Sequence, residues 1–182
     1  MKGGKPSKRP FSATDKPEPK PVDEVEVPIE DEERFMAMAL DEARIAGGEE
    51  EVPVGAVLTM NGEVLARAHN RTRALVDPTA HAEILVLREG ARLRGNFRLA
   101  DATLYSTIEP CPMCAGAIVQ ARIRRLVYGA RDEKGGAVRS LYRLLDDPRL
   151  NHRVEIVEGL FQEECSRVMK DFFAERRNSG LQ

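Results

Sequence analysis

Two hydrophobic periods run through this chain. Over 32–46, Phe35, Met36, Met38, Ala39, Leu40, Ala43 and Ile45 give a broad apolar helical face that stops at Gly47-Gly48. The run 54–60 is almost wholly apolar and predicts a buried strand. Asn61-Gly62 is a strong hairpin signal, and 63–68 returns as a second strand. Asp77-Pro78-Thr79 is a turn that can start a helix over 80–92. Residues 103–108 predict a third strand. Pro112 suits the first turn of a helix running to about 121. A fourth strand is predicted over 125–129, a flexible loop at Lys134-Gly135-Gly136, a short helix over 141–145 and a fifth strand over 153–157. An amphipathic helix over 161–176 closes the series. One antiparallel hairpin followed by strand–helix–strand units implies an α/β fold, a mixed sheet with helices on both faces.

Residues 1–28 break this pattern. They carry six prolines and almost no apolar periodicity, and they pass from a Lys-rich to an acidic stretch. Such a segment cannot bury enough surface to offset its ordering entropy and is expected to be a disordered tail. The ordered domain is expected over 29–178, with a short tail at 179–182. At 182 residues the chain suits one domain with a sizeable core. The apolar stretch 110–121 is too short to cross a bilayer, and no basic segment leads into an apolar one as a signal peptide would. A cytoplasmic protein is expected. The net charge of −2 gives no general sign of nucleic-acid binding. A local one exists: between 121 and 153, eight arginines and one lysine stand against four acidic residues.

Three cysteines are too few for a disulfide framework, but two are spaced as Cys111-Pro112-Met113-Cys114. Alone, that spacing fits redox, structural or catalytic chemistry. Upstream lies His81-Ala82-Glu83, also at a predicted helix start. His81, Cys111 and Cys114 supply three ligands of the kind zinc takes, leaving a fourth position open. Glu83 is suited to stand beside the metal. Zinc brings the pKa of bound water towards neutrality, and a nearby carboxylate can move its proton to a substrate and leaving group. H-x-E upstream of P-C-x-x-C is the signature of zinc nucleobase deaminases. A purely structural zinc would need a fourth ligand from His69, His152 or Cys165.

The chain resembles the bacterial tRNA-specific adenosine deaminases over about 30–177. The matching segments include 51–57 (EVPVGAV), 77–83 (DPTAHAE), 109–117 (EPCPMCAGA), 128–132 (YGARD) and 151–155 (NHRVE). The resemblance implies a cytidine-deaminase-like α/β fold: a three-layer α/β/α arrangement with a central five-stranded mixed sheet. It also implies a homodimer with one Zn²⁺ per subunit. The implied reaction is hydrolytic deamination of adenosine to inosine at the anticodon wobble position, with Glu83 shuttling protons. The partner would be a tRNA anticodon stem-loop, with an arginine tRNA expected. By the same resemblance Asn70 would hydrogen-bond the flipped adenine or its ribose. The Ala82 amide would meet the base or the water. Pro53, Val54 and Ile108 would line the pocket. Asp132 and Asn151 would contact neighbouring nucleotides, and Arg176 and Arg177 would engage the loop. The alternative is a zinc deaminase of a free nucleobase or nucleotide such as guanine, cytosine or deoxycytidylate. A non-catalytic RNA-binding scaffold is the third reading, disfavoured by Glu83. Arg139 and Asp147 depart from the family pattern, standing where glycine and histidine are frequent.

Several single residues carry plainer expectations. Cys165 reads as a packed free thiol. His69 reads as structural or exposed, and Gly129 as a strand end or tight bend. His152 either orients a loop or touches RNA. Glu109 either supports the metal site or fixes the turn.

Overall fold

The computed structural model describes residues 28–178; the tails expected over 1–28 and 179–182 lie outside the described residues, Pro28 excepted. Helix α1 (Ile29–Gly48) precedes the hairpin β1 (Gly55–Met60) and β2 (Glu63–His69). There follow α2 (Ala82–Arg94), β3 (Ala102–Ile108), α3 (Pro112–Ala121), β4 (Arg125–Ala130), β5 (Glu155–Glu158) and α4 (Gln162–Asn178). The sheet order is β2-β1-β3-β4-β5. β1 is antiparallel to β2 and β3, while β3, β4 and β5 run parallel. This is the expected mixed sheet between two helical layers.

Period-two alternation decides which helix meets which strand face. Ala56, Leu58, Leu104, Leu126 and Tyr128 pack with Val86 and Leu87 of α2 and Ile118 and Val119 of α3. On the opposite face Val57, Tyr105 and Val127 pack with Phe35, Met36, Ala39 and Leu40 of α1 and Cys165 of α4. Ile45, placed on the apolar face of α1 by its spacing, is exposed. Among the described residues no helix is long and apolar enough to cross a membrane.

Backbone closeness appears at two glycines. A Cβ on Gly55 would lie 1.9 Å from the Ala39 carbonyl oxygen and 2.6 Å from the Ala43 nitrogen. Helix α1 therefore sits directly on β1, and only glycine permits it. Gly55→Ala should destabilise the fold by about 3 kcal/mol, the upper part of the range for overpacking, read by urea denaturation. Gly129 does more than end a strand. A Cβ there would meet Cys165 Sγ at 2.4 Å, so it lets α4 approach β4.

The helix expected over 141–145 is absent; that segment is irregular. Leu141, Leu144 and Leu145 have helical spacing, yet only Leu145 is buried and Leu141 is largely exposed. The backbone is spent otherwise. Leu141 N–H donates to the Gly136 carbonyl, and Leu144 N–H to that of Ala137. The loop at Lys134-Gly135-Gly136 is also more constrained than its composition suggests. Asp132 Oδ1 accepts the Lys134 and Gly135 amides at 3.0 and 3.1 Å, an Asx-type turn.

Candidate functional site

β2 and β3 are parallel to one another, since each is antiparallel to β1 between them. The helices that follow them, α2 and α3, therefore begin at the same end of the sheet, where open α/β sheets place their sites. His81 is the N-cap of α2 and Cys111 the N-cap of α3, both with extended backbone. Pro112 occupies the first turn of α3, where its missing N–H costs nothing. Cys114 falls on that turn and is buried.

The crossover brings together side chains thirty positions apart in sequence. His81 Nδ1 lies 3.7 Å from Cys111 Sγ and 3.6 Å from Cys114 Sγ. Zinc bonded at its usual lengths to nitrogen and sulfur in tetrahedral geometry separates those atoms by about 3.6 Å. The donor set and its spacing therefore fit zinc. Among the described residues this is the one group of three that could hold a metal. The Cys111 thiol is drawn down to about 4, first by its hydrogen bond with Cys114, then by His81, against burial. Cys114 is pushed up by its bond to Cys111 and by burial, and His81 is raised chiefly by Cys111. Cys111 is thus the readier thiolate.

The other residues considered as a fourth ligand are occupied elsewhere. His69 Nδ1 meets Glu42 Oε2 at 2.7 Å, and Nε2 meets Glu49 at 3.3 Å. His152 Nε2 donates to the Ile123 carbonyl at 2.7 Å, orienting its loop. Cys165 is buried in the opposite core, and burial pushes its thiol up to about 12.

Glu83, in the first turn of α2, is 2% exposed. Burial pushes its carboxyl above the ordinary range, against its own backbone amide and the nearby His81 charge. Its Oε2 is buried without a hydrogen-bond partner. A polar atom left so is costly unless something else engages it.

Around this centre the resemblance-derived residues fall into two sets. Asn70 is buried; its N–H donates to the Val54 carbonyl at 3.0 Å, and its Oδ1 accepts the Ala82 N–H at 2.8 Å. The Ala82 amide is thus committed to Asn70. Pro53 and Val54 are buried and Ile108 half-buried. Asn70 thus ties Val54 to Ala82, the residue that follows His81. Of the remaining four, Asp132, Asn151 and Arg176 are held by contacts of their own. Asp132 organises its own turn. Asn151 Oδ1 accepts from Arg122 at 2.8 Å. Arg176 donates to the Glu50 carbonyl at 3.0 Å and stacks on Phe172, while Arg177 is exposed. The basic stretch is also less basic than its count. Arg125, Arg131, Arg139, Arg143 and Arg149 all pair with carboxylates, some from outside the segment, such as Glu32 and Glu158. The unusual Arg139 pairs with Asp146, and Asp147 with Arg149.

Two buried carboxylates brace the loops of the site. Glu109, at the end of β3, gathers the loop that follows β4. The role of Glu51 leaves no sequence signal, because its partners follow no periodic spacing. It is 1% exposed and accepts the Arg73 and Ala74 amides at 2.8 Å each and the Thr72 hydroxyl at 3.0 Å. This holds the loop between Asn70 and His81. Burial alone would raise its carboxyl, but these donors hold it below the ordinary 4.5. A depressed carboxylate contributes stability above its unfolded pKa and loses it as pH falls through the folded value. Glu51→Gln should therefore be less stable than the parent at pH 7, with the gap narrowing below about pH 4.5, measured by denaturant titration at several pH values.

Comparison with known proteins places this geometry. A family model for MafB19-like deaminases matches residues 30–177. The chain is 52% identical over 143 residues to the tRNA-specific adenosine deaminase of Agrobacterium fabrum, covering 79% of this chain and 94% of the relative. It is 48% identical over 146 residues to the tRNA-specific adenosine deaminase of Bacillus subtilis, covering 80% and 91%. A solved structure from studies of A-to-I editing by tRNA:A34 deaminases superposes with a TM-score of 0.72 at 52% identity, covering 74% of this chain and 98% of that one. Guanine deaminase from Nitrosomonas europaea shares the fold, with a TM-score of 0.69 at 21% identity, covering 78% and 84%.

Proposed function

The chain belongs to the tRNA-specific adenosine deaminases, enzymes of hydrolytic deamination, and from that membership we propose how its own residues convert adenosine to inosine at the wobble position of a tRNA anticodon. The observation that carries this reading is the His81–Cys111–Cys114 triangle beside a buried carboxylate with an unpartnered oxygen.

His81, Cys111 and Cys114 would hold one zinc ion per subunit. When bound there, zinc supplies Lewis-acid activation of water at the position the protein leaves open. Glu83 holds and moves the proton. Burial raises its carboxyl above the ordinary range and so favours the protonated form, and its Oε2 is the atom placed to take a proton and deliver it to the purine ring and the departing amine. Asn70 orients the substrate: with Oδ1 occupied by Ala82, its side-chain NH₂ remains to donate to the base or ribose. Pro53, Val54 and Ile108 form an apolar wall that excludes water from the ring. Asp132, Asn151, Arg176 and Arg177 serve the flanking nucleotides. The wobble base is unpaired, so extruding it costs little. The working form is a cytoplasmic homodimer, and an arginine tRNA is the substrate.

The test is inosine formation. Zinc-loaded protein is incubated with an anticodon stem-loop carrying adenosine at the wobble position, and nucleosides are quantified by mass spectrometry. Inosine appears if the reading holds. No inosine from protein with one zinc per chain overturns it, and deamination of free guanine, cytosine or deoxycytidylate would establish the alternative.

A further inference from the structure

The loop from Asp132 to Ser140 is wrapped around one side chain. Glu109, just beyond β3, is 1% exposed. Its Oε1 accepts the amides of Val138, Arg139 and Ser140 at 2.9, 2.6 and 2.9 Å. Its Oε2 accepts the Asp132 amide at 3.1 Å and the Ser140 hydroxyl. Five donors from four residues of one loop thus converge on one carboxylate, more than its roughly four lone-pair sites, so that some are shared. The fit is close on every side. A Cβ on Gly136 would lie 2.3 Å from Glu109 Cδ. The next residue joins in, since the Pro110 carbonyl accepts the Ala137 amide at 2.9 Å.

Glu109 stands two residues before Cys111, and its far end holds the loop that contains Asp132. The same short segment, 109–114, thus carries two of the three metal-fitting side chains and holds the loop. We propose that Glu109 is a positioning residue that fixes the 132–140 loop relative to the Cys111–Cys114 segment, so that Asp132 and its neighbours meet the nucleotides flanking the target. This rests on the functional reading above. Glu109 acts on RNA binding and leaves the chemical step to Glu83. A glutamine cannot replace it, because a carboxamide offers one acceptor oxygen and turns an NH₂ towards the remaining donors.

The experiment compares Glu109→Gln with the parent enzyme, both loaded with zinc. Three readouts are taken: zinc content, amide exchange across 132–140, and kinetics on the anticodon stem-loop with its Kd. The expected result is one zinc per chain, lost protection of the 138–140 amides, a Kd raised about tenfold or more, and little change in kcat at saturating RNA. Lowered kcat with unchanged Kd, or loop amides still protected, overturns the inference. If Glu109→Gln fails to fold, Gly136→Ala displaces the same loop with Glu109 intact and must raise Kd in the same way; an unchanged Kd there overturns it equally. Parent enzyme that gives no inosine overturns the functional reading. Parent enzyme that does, with Glu109→Gln binding RNA as tightly, overturns the positioning role alone.

Discussion

Glu83→Gln should lower inosine formation by about 10²- to 10⁴-fold, the usual contribution of one positioned acid–base group, while the protein keeps its metal. Glutamine matches glutamate in volume, so a site 2% exposed suffers no cavity and no overpacking. What it removes is the ability to accept and release a proton at Oε2. None of the three metal-fitting side chains is altered, and His81 Nδ1 keeps its 3.6 and 3.7 Å separations from the cysteine sulfurs. Single-turnover measurements with zinc analysis of the same sample check both halves. Near-parent turnover would remove Glu83 from the proton path. Loss of zinc alongside loss of rate would show that the carboxylate supports the metal.

His81→Ala should abolish activity through a different route. Two cysteines remain, but the set loses its nitrogen donor and α2 loses its tie to α3 at the metal. After dialysis against a mild chelator the variant should hold far less than one zinc per chain. Its thermal stability should also cease to respond to added zinc. A ligand that binds only the folded state stabilises it by about 2.7 kcal/mol at a hundred times its Kd, roughly 5–10 °C for a chain of this size. The parent should show a rise of that order, and its absence in the variant, read by calorimetry with and without zinc, isolates the metal from the rest of the fold. An equal rise in both proteins would place the zinc elsewhere.

What could be read from the sequence was what is local. The metal ligands sit at short spacings, and each lies where helix-starting residues announce a terminus, Pro112 for α3 and the Asp77-Pro78-Thr79 turn for α2. The strands were legible because short apolar runs bounded by turn residues are too brief for helices and too apolar for loops. The helix wrongly expected over 141–145 shows the opposite condition. Three leucines at helical spacing carried the signal, while the backbone of the segment leading into it is claimed by Glu109 from some thirty residues away. Glu51 acts on Arg73 and Ala74 over gaps of 22 and 23 residues. A buried carboxylate that gathers loop amides leaves no periodic trace, so the residues shaping the site are less visible than those performing its chemistry. Gly129 belongs here too, because the reason for it is Cys165 on another element.

The order of elements along the chain has a consequence for biosynthesis. His81, Glu83, Cys111 and Cys114 all precede β4, β5 and α4, and the loop that Glu109 holds is made after them. A nascent chain therefore exposes its complete ligand set before the partners of Glu109 have left the ribosome. At roughly 5–20 residues per second the interval is a second or more. The metal-fitting side chains and the apolar wall of Pro53, Val54 and Ile108 are thus made first, and the loop gathered by Glu109 is the part of the site added last.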